Sequence, residues 1–293
     1  MKQRKILVTG VDGQVGFELL RSLQGLGDVA AIDRKKLDLL DASSVSRVIR
    51  EVAPDIIVNP AAYTAVDRAE TEQELAERIN VAAPRVMGEE AARSGALLIH
   101  YSTDYVFDGE KRSAYVEDDV TNPQNVYGRT KRDGEQAIAE TGCDHLILRT
   151  SWVYGMRGHN FLQTMLRLAQ ERDELRIVSD QLGAPTWSNT IAALTANIVA
   201  RGPVDGSAGW WTERSGVYNL TSAGSTSWAD FAESIFDHAQ LQKRPAVIPI
   251  ESTAYPTPAK RPANSLLSHD KLVRVFGLQP PSWQRALELC LAR

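Results

Sequence analysis

One junction limits the fold of this chain more than any other. An apolar run, Ile6-Leu7-Val8, goes straight into Thr9-Gly10-Val11-Asp12-Gly13-Gln14-Val15-Gly16, and Val15, Leu19, Leu20 and Leu23 then recur at helical spacing. Residues 5–9 therefore read as a buried strand and the following segment as a helix, with Gly10, Gly13 and Gly16 between them. In that setting one glycine permits a tight turn, one lets the backbone approach a pyrophosphate, and one allows the helix to pack closely on the strand. The free amides and positive dipole of the helix start favour phosphate oxygens. The G-x-x-G-x-x-G spacing departs from the commoner G-x-G-x-x-G, so the strand-to-helix context, rather than the glycines alone, points to a dinucleotide instead of a plain glycine-rich turn.

The pattern repeats along the first half. Val29-Ala30-Ala31-Ile32 is a second strand ending at Asp33, about twenty residues past the glycines, where a carboxylate suits adenosine ribose hydroxyls. Arg34, Lys35 and Lys36 follow at once and suit a 2′-phosphate, which leaves NADPH and NADH both open. Asp38-Leu39 precedes a helix starting near Ala42. Asp55–Asn59 is a third strand, and Pro60-Ala61-Ala62-Tyr63-Thr64 leaves its carboxyl end, where small residues let a cofactor lie close to backbone. A helical stretch over 72–93 carries Leu75, Ile79, Val86 and Met87 as a core stripe. Leu97–Ser102 is the fourth strand, with Thr103-Asp104-Tyr105-Val106-Phe107 as its exit, and His145–Arg149 the fifth. This alternation predicts an α/β fold with a doubly wound parallel sheet.

Tyr127-Gly128-Arg129-Thr130-Lys131 opens another predicted helix, with Asn125 as a possible cap. Residues four apart share a helix face, so the Tyr127 phenol and the Lys131 ammonium can address one site. A phenol titrates near pH ~10, and a neighbouring cation lowers that value, giving an acid–base group usable at neutral pH. Thr103 is placed to bond a substrate carbonyl beside Tyr127, or else to cap a turn.

After about residue 151 the texture changes, with aromatic, Pro and Gly residues clustered in loops such as 183–187, 209–211 and 255–258. The expected division is a dinucleotide-binding domain over 1–151, rejoined by about 188–220, and a smaller α/β substrate lobe over 152–187 and 221–293. Arg261, in a loop after the Pro-rich run, suits a substrate phosphate as a bidentate donor or is simply solvated. The net charge of −4 provides no broad positive field for nucleic acid or acidic lipid. No stretch approaches the roughly 20 apolar residues of a membrane helix. Two cysteines, Cys143 and Cys290, without nearby Cys or His, argue against a zinc cage or disulfide framework. A cytoplasmic protein, monomeric or a weak homodimer, is expected.

The glycine turn, Asp33, Thr103 and the Tyr127/Lys131 pair together resemble an extended short-chain dehydrogenase/reductase with a Rossmann domain. A finer set of blocks is similar to the dTDP-4-dehydrorhamnose reductase family. These are Val58-Asn59-x-Ala61-Ala62-x-Thr64-Ala65-Val66-Asp67-x-Ala69-Glu70, His100-Tyr101-Ser102-Thr103-Asp104-Tyr105-Val106-Phe107, Asn125-Val126-Tyr127-Gly128, Arg149-Thr150-Ser151-Trp152-Val153-Tyr154, Asp180-Gln181-x-Gly183-Ala184-Pro185-Thr186 and Arg261-Pro262-x-Asn264-Ser265. The resemblance implies reduction of the C4 ketone of a dTDP-4-keto-6-deoxysugar by NADPH or NADH. It implies Tyr127 as proton donor, Lys131 as the residue that holds the nicotinamide ribose and lowers the Tyr127 pKa, and Thr103 as the group that polarises the ketone. Implied cofactor positions are Gly13, Gln14, Val15, Asp33, Asp38, Leu39, Ala62, Tyr63, Thr64 and Tyr101. Implied sugar-nucleotide contacts are Thr103, Asp104 and Trp152, with Tyr105 of the same exit loop, and Arg261 becomes a diphosphate or nucleotide contact. Some relatives are magnesium-linked dimers held by glutamates; Glu18 matches the first, Asn189 stands where a second is expected, and the chain ends at Arg293 before a late one, so no magnesium site is expected. A sibling sugar reductase and a non-catalytic regulatory subunit of methionine adenosyltransferase share these features. The Asp104-Tyr105 sequence after Thr103, in place of Asp-Glu, separates the chain from the dehydratases.

Overall fold

Strands without a polar face must be covered on both sides, and Ile6, Leu7 and Val8 are all fully buried. The computed structural model describes residues 3–203 and 209–292; Met1, Lys2, 204–208 and Arg293, and with them the ends of the expected 1–151 and 221–293 segments and part of 188–220, lie outside the described residues. The first half runs β1 (Lys5–Val8), α1 (Gln14–Ser22), β2 (Asp28–Ala31), α2 (Ala42–Val52), β3 (Ile56–Asn59), α3 (Val66–Ala69), α4 (Gln73–Glu77), a π-helical turn (Arg78–Ala82) and α5 (Ala83–Ser94). It continues with β4 (Leu97–Thr103), α6 (Val126–Ala139) and β5 (His145–Thr150). The second half holds β6 (Val153–Tyr154), α7 (Phe161–Glu171), β7 (Glu174–Val178), β8 (Leu182–Gly183), β9 (Thr186–Trp187), α8 (Ser188–Arg201) and β10 (Gly216–Asn219). It ends with β11 (Thr226–Ser227), α9 (Trp228–His238), β12 (Ala246–Ile250), α10 (Asp270–Phe276) and α11 (Trp283–Leu291).

Six strands form one parallel sheet in the order β10-β5-β4-β3-β1-β2. The chain turns one way from β1 to β2 and the other way to β3, so the switch point, where ligands of such sheets bind, lies above the carboxyl ends of β1 and β3. On one face Ile6, Val8, Val58, Ile99 and Leu148 pack with Leu19 of α1 and Ile191 and Ile198 of α8. On the other, Leu7, Ile57, Leu98 and Ile147 pack with Val45, Met87 and Ile138 of α2, α5 and α6. The fold is a doubly wound α/β fold. A third apolar cluster gathers Tyr154, Leu162, Met165, Phe231, Ile235, Trp283 and Leu287 from α7, α9, α11 and β6. Beside it, β7 pairs in parallel with β12.

The expected core stripe of the 72–93 helix holds at Met87, fully buried, and Val86, packed against the same core, and is displaced at Leu75 and Ile79, which are half-buried while Ala76, Asn80 and Ala83 face inward. The π turn shifts the helical phase here, and the inward positions are small or polar because α6 passes within backbone distance: a Cβ on Gly134 would lie 2.1 Å from the Asn80 carbonyl oxygen.

Along its inward face α6 carries Tyr127, Lys131 and Glu135. Glu135 accepts from Arg149 of β5 at both oxygens, 2.9 and 2.7 Å, with both side chains almost wholly buried. Removing one partner of a buried pair strands the other charge. Glu135→Ala should therefore lower the unfolding free energy by about 3–5 kcal/mol, measured by urea denaturation, whereas Glu51→Ala, at a solvent-exposed pair with Arg47, should change it by less than about 1 kcal/mol.

Candidate active site

The glycine turn takes the form its spacing requires. Gly10 has φ +56°, and a Cβ there would sit 3.0 Å from Ala61 of the β3 exit; one on Gly16 would lie 2.2 Å from the Gly10 carbonyl oxygen. The exit loops of β1 and β3 thus meet backbone to backbone at the switch point. Gly13 is the N-cap of α1 and offers no side chain to its amides, which leaves the helix start open to an anion. Gln14 is the first helical residue and accepts from Asn160 at 2.8 Å, and Val15 packs against the apolar face.

The other proposed dinucleotide positions surround that crevice. Asp33 turns its carboxylate to the amides of Lys35 and Lys36, at 3.0 and 3.1 Å, and Arg34, Lys35 and Lys36 are exposed. Asp38 accepts from the Leu40 amide at 2.9 Å, and Leu39 packs toward the core. Ala61, Ala62, Tyr63 and Thr64 leave β3, and Asn80 clamps Tyr63 by accepting from its amide at 2.8 Å and donating to its carbonyl at 3.1 Å. Tyr101 is present mainly as backbone: its phenol is buried against Thr195 at 2.8 Å on the α8 side, and its carbonyl accepts from Lys131 at 2.7 Å.

Asn125 caps α6 by accepting from the Gly128 amide at 2.8 Å and uses its Nδ2 to hold the Lys260 carbonyl at 2.9 Å. A Cβ on Gly128 would lie 2.1 Å from the Tyr105 carbonyl oxygen, so the helix start presses on the β4 exit loop. That approach brings Tyr127 beside Thr103 and edge-on to Tyr105, with ring centroids 5.6 Å apart. The Thr103 hydroxyl also donates to Asp104 at 3.0 Å.

The electrostatics differ from the expected Tyr/Lys pairing. Burial pushes the Tyr127 phenol well above its ordinary value, while the Thr103 hydroxyl pulls it down and Asp104 and Tyr105 push it further up. The Lys131 ammonium is bonded to His100 and the Tyr101 carbonyl. Burial brings Lys131 down to about 8, opposed by Glu135. Asp104 is raised to about 6 by burial, opposed by the neighbouring Ser265 and Thr103 hydroxyls.

On the second-half side, Trp152 stacks on Trp228 at 3.5 Å and holds φ +46°, a strained value for a bulky residue. Arg261 is committed within the chain: it donates to Asp67 at 2.7 Å and stands 3.5 Å from the Tyr105 hydroxyl. Asn189 donates to Glu18 at 3.0 Å. Asn59, Asn80 and His100 are buried polar residues of the site that the sequence reading gave no role. Their signal was a polar side chain ending or interrupting an apolar segment, which is costly unless it is bonded.

The family model described as RmlD substrate binding domain matches residues 4–293. A curated dTDP-4-dehydrorhamnose reductase of Burkholderia thailandensis is 49% identical over 293 residues, covering 98% of each chain. The chain belongs to the dTDP-4-dehydrorhamnose reductase family. The Escherichia coli K12 member is 44% identical over 95% of this chain and 94% of its own. A crystal structure of the Bacillus anthracis family member in complex with NADP matches with a TM-score of 0.90 at 37% identity, covering 99% of each chain.

Asp104 supplies a pH test. Its folded-state pKa of about 6 lies above the ordinary 3.8, so its contribution to stability is complete below about pH 4 and is lost as pH rises through about 6. An amide in its place stays neutral throughout. Relative to wild type, Asp104→Asn should gain on the order of 2–3 kcal/mol in unfolding free energy between pH 4 and 7, read from urea titrations at both pH values. A constant difference would show that Asp104 ionises freely.

Proposed function

We propose that this chain reduces the C4 ketone of dTDP-4-dehydro-β-L-rhamnose to dTDP-L-rhamnose with NADPH or NADH. The observation that carries the reading is the convergence of Tyr127, Thr103 and Lys131 at the carboxyl end of β4, beside an uncapped helix start at the sheet's switch point. The named relatives and the NADP complex of the Bacillus anthracis member support the same reaction class.

The residues present fit a dinucleotide. The α1 amides beyond Gly13 suit the pyrophosphate, and the Gly10 and Ala61 backbones suit close approach. The exposed Arg34, Lys35 and Lys36 suit a 2′-phosphate, and the neighbouring Asp33 commits Oδ1 to the amides of its own loop. The nicotinamide, when bound, supplies the hydride. The chain supplies the rest. Thr103 bonds the ketone oxygen, Tyr127 gives that oxygen its proton as the C4 carbon accepts hydride, and Lys131 meets the nicotinamide ribose. A phenol held protonated by burial is suited to donating, because a developing alkoxide is a far stronger base than the phenolate left behind. On this reading the 1–151 segment with 188–220 binds dinucleotide, and the 152–187 and 221–293 segments hold the sugar nucleotide. Asp104, Tyr105 and Trp152 line that side, and Arg261 exchanges Asp67 for the diphosphate.

Tyr127→Phe should retain dinucleotide affinity and lose about 10²–10⁴-fold in kcat. The assay generates the 4-keto sugar nucleotide in situ from dTDP-glucose and follows reduced-nicotinamide absorbance with NADPH and NADH in parallel. Wild-type-like turnover in the variant would remove Tyr127 from the mechanism. Tight dinucleotide binding by the wild-type chain without turnover would favour a sibling sugar or a regulatory role.

A further inference from the structure

A row of polar side chains crosses the sheet behind Lys131. Thr9, one residue past β1, Asn59 of β3 and His100 of β4 stand side by side, with Asn59 and His100 in direct register. The Thr9 hydroxyl and Asn59 Oδ1 are 2.6 Å apart, Asn59 Nδ2 and His100 Nδ1 are 3.0 Å apart, and His100 Nε2 and Lys131 Nζ are 3.0 Å apart. The exposures are 1% for Thr9, 1% for Asn59, 0% for His100 and 1% for Lys131, so water does not share these bonds.

Proton counting restricts the arrangement. A neutral imidazole has one N–H and one lone pair, and an ammonium has donors only. His100 is neutral, because burial and the Lys131 charge both hold it well below its ordinary value. With Asn59 Nδ2 donating to Nδ1, the imidazole proton must sit on Nε2, and only an uncharged Lys131 amine could accept it. The Asn59 amide has nearly the same shape when turned over. Its Oδ1 then accepts from His100 Nδ1–H, its Nδ2 donates to the Thr9 hydroxyl, and the Nε2 lone pair is free to accept from a charged Lys131. In this second arrangement both imidazole nitrogens keep a partner, and Lys131 keeps its charge.

We propose that His100 is a positioning residue for Lys131. In its Nδ1–H form, fixed by a turned Asn59 amide and Thr9, it presents the Nε2 lone pair that holds the ammonium at the mouth of the dinucleotide crevice. The row runs from Thr9, next to Gly10 of the glycine turn, to the lysine of α6, so it couples the two sides of that crevice. The assignment rests on the reading of Lys131 as the ribose-binding residue. The titratable and charged groups that face Lys131 are His100 from β4, Tyr127 one turn earlier, and Glu135 one turn later, itself paired with Arg149 of β5.

The first test needs no variant and no turnover. In the wild-type chain labelled with ¹⁵N-histidine, the His100 resonances at pH 7 should report a protonated Nδ1 and an Nε2 lone pair; a protonated Nε2 would overturn the proposal. The second test compares His100→Phe and His100→Gln by the pH dependence of NADPH binding. Loss of the acceptor should move the basic limb of binding down by about 1–2 pH units in the Phe variant, and the Gln carbonyl should restore most of it. An unshifted limb in a folded Phe variant would also overturn the proposal, since a role in packing alone would lower Tm and leave the limb in place. Should the wild-type chain bind NADPH yet fail to reduce the dTDP-sugar, the reaction assignment falls while both readouts still decide the role of His100.

Discussion

Helix α6 approaches its neighbours more closely than side chains would allow at every position. Cβ atoms at Gly128 and Gly134 would each stand 2.1 Å from a carbonyl oxygen, one of Tyr105 and one of Asn80. Between those two contacts the helix has no freedom to slide or roll by a fraction of a turn without a backbone clash. Tyr127, Lys131 and Glu135, spaced four apart on the inward face, are therefore delivered to Thr103, His100 and Arg149 on adjacent strands. The proposed proton donor, the cation and a structural ion pair depend on the same seating.

That seating is exacting because the interface is polar and dry. Lys131, Glu135, Arg149, His100 and Asn59 are all buried, and an unpaired polar group in such a place costs more than a made hydrogen bond contributes. Two residues beyond Leu7, Ile57, Leu98 and Ile147 of the apolar layer come Thr9, Asn59, His100 and Arg149. Two residues along a strand return to the same face, so one step past the core the sheet changes from oil to hydrogen bonds without changing sides. The crevice is built on that step.

This layering explains which parts of the molecule could be read from sequence. The parallel strands were legible because Ile6-Leu7-Val8, Ile56-Ile57-Val58 and Leu97-Leu98-Ile99 are unbroken apolar runs, and the glycine turn because it lies between such a run and a helical repeat. The Tyr127/Lys131 spacing was visible for the same local reason. Their electrostatics were not, because the partners are remote in sequence: His100 is 31 residues from Lys131 and 41 from Asn59, and Asp67 is 194 from Arg261. Register alone brings those groups together. The displaced part of the stripe, at Leu75 and Ile79, has a related cause, since the π turn that shifts its phase serves Asn80, whose partners are Tyr63 and Thr130.

The sign of the Tyr127 perturbation bears on the direction of the proposed chemistry. A tyrosine used as a base must shed its proton at working pH, and a cation in contact would help it do so. Here burial favours the neutral phenol, and the nearby Asp104 and Tyr105 act in the same sense. Lys131 directs two of its three donors to His100 and the Tyr101 carbonyl. The Thr103 hydroxyl opposes burial, Asp104 and Tyr105. A site so arranged keeps its proton until a stronger base than phenolate is formed beside it, and hydride addition to a ketone forms such a base. Reduction, with the proton released only as the alkoxide develops, is the direction in which this environment assists rather than resists.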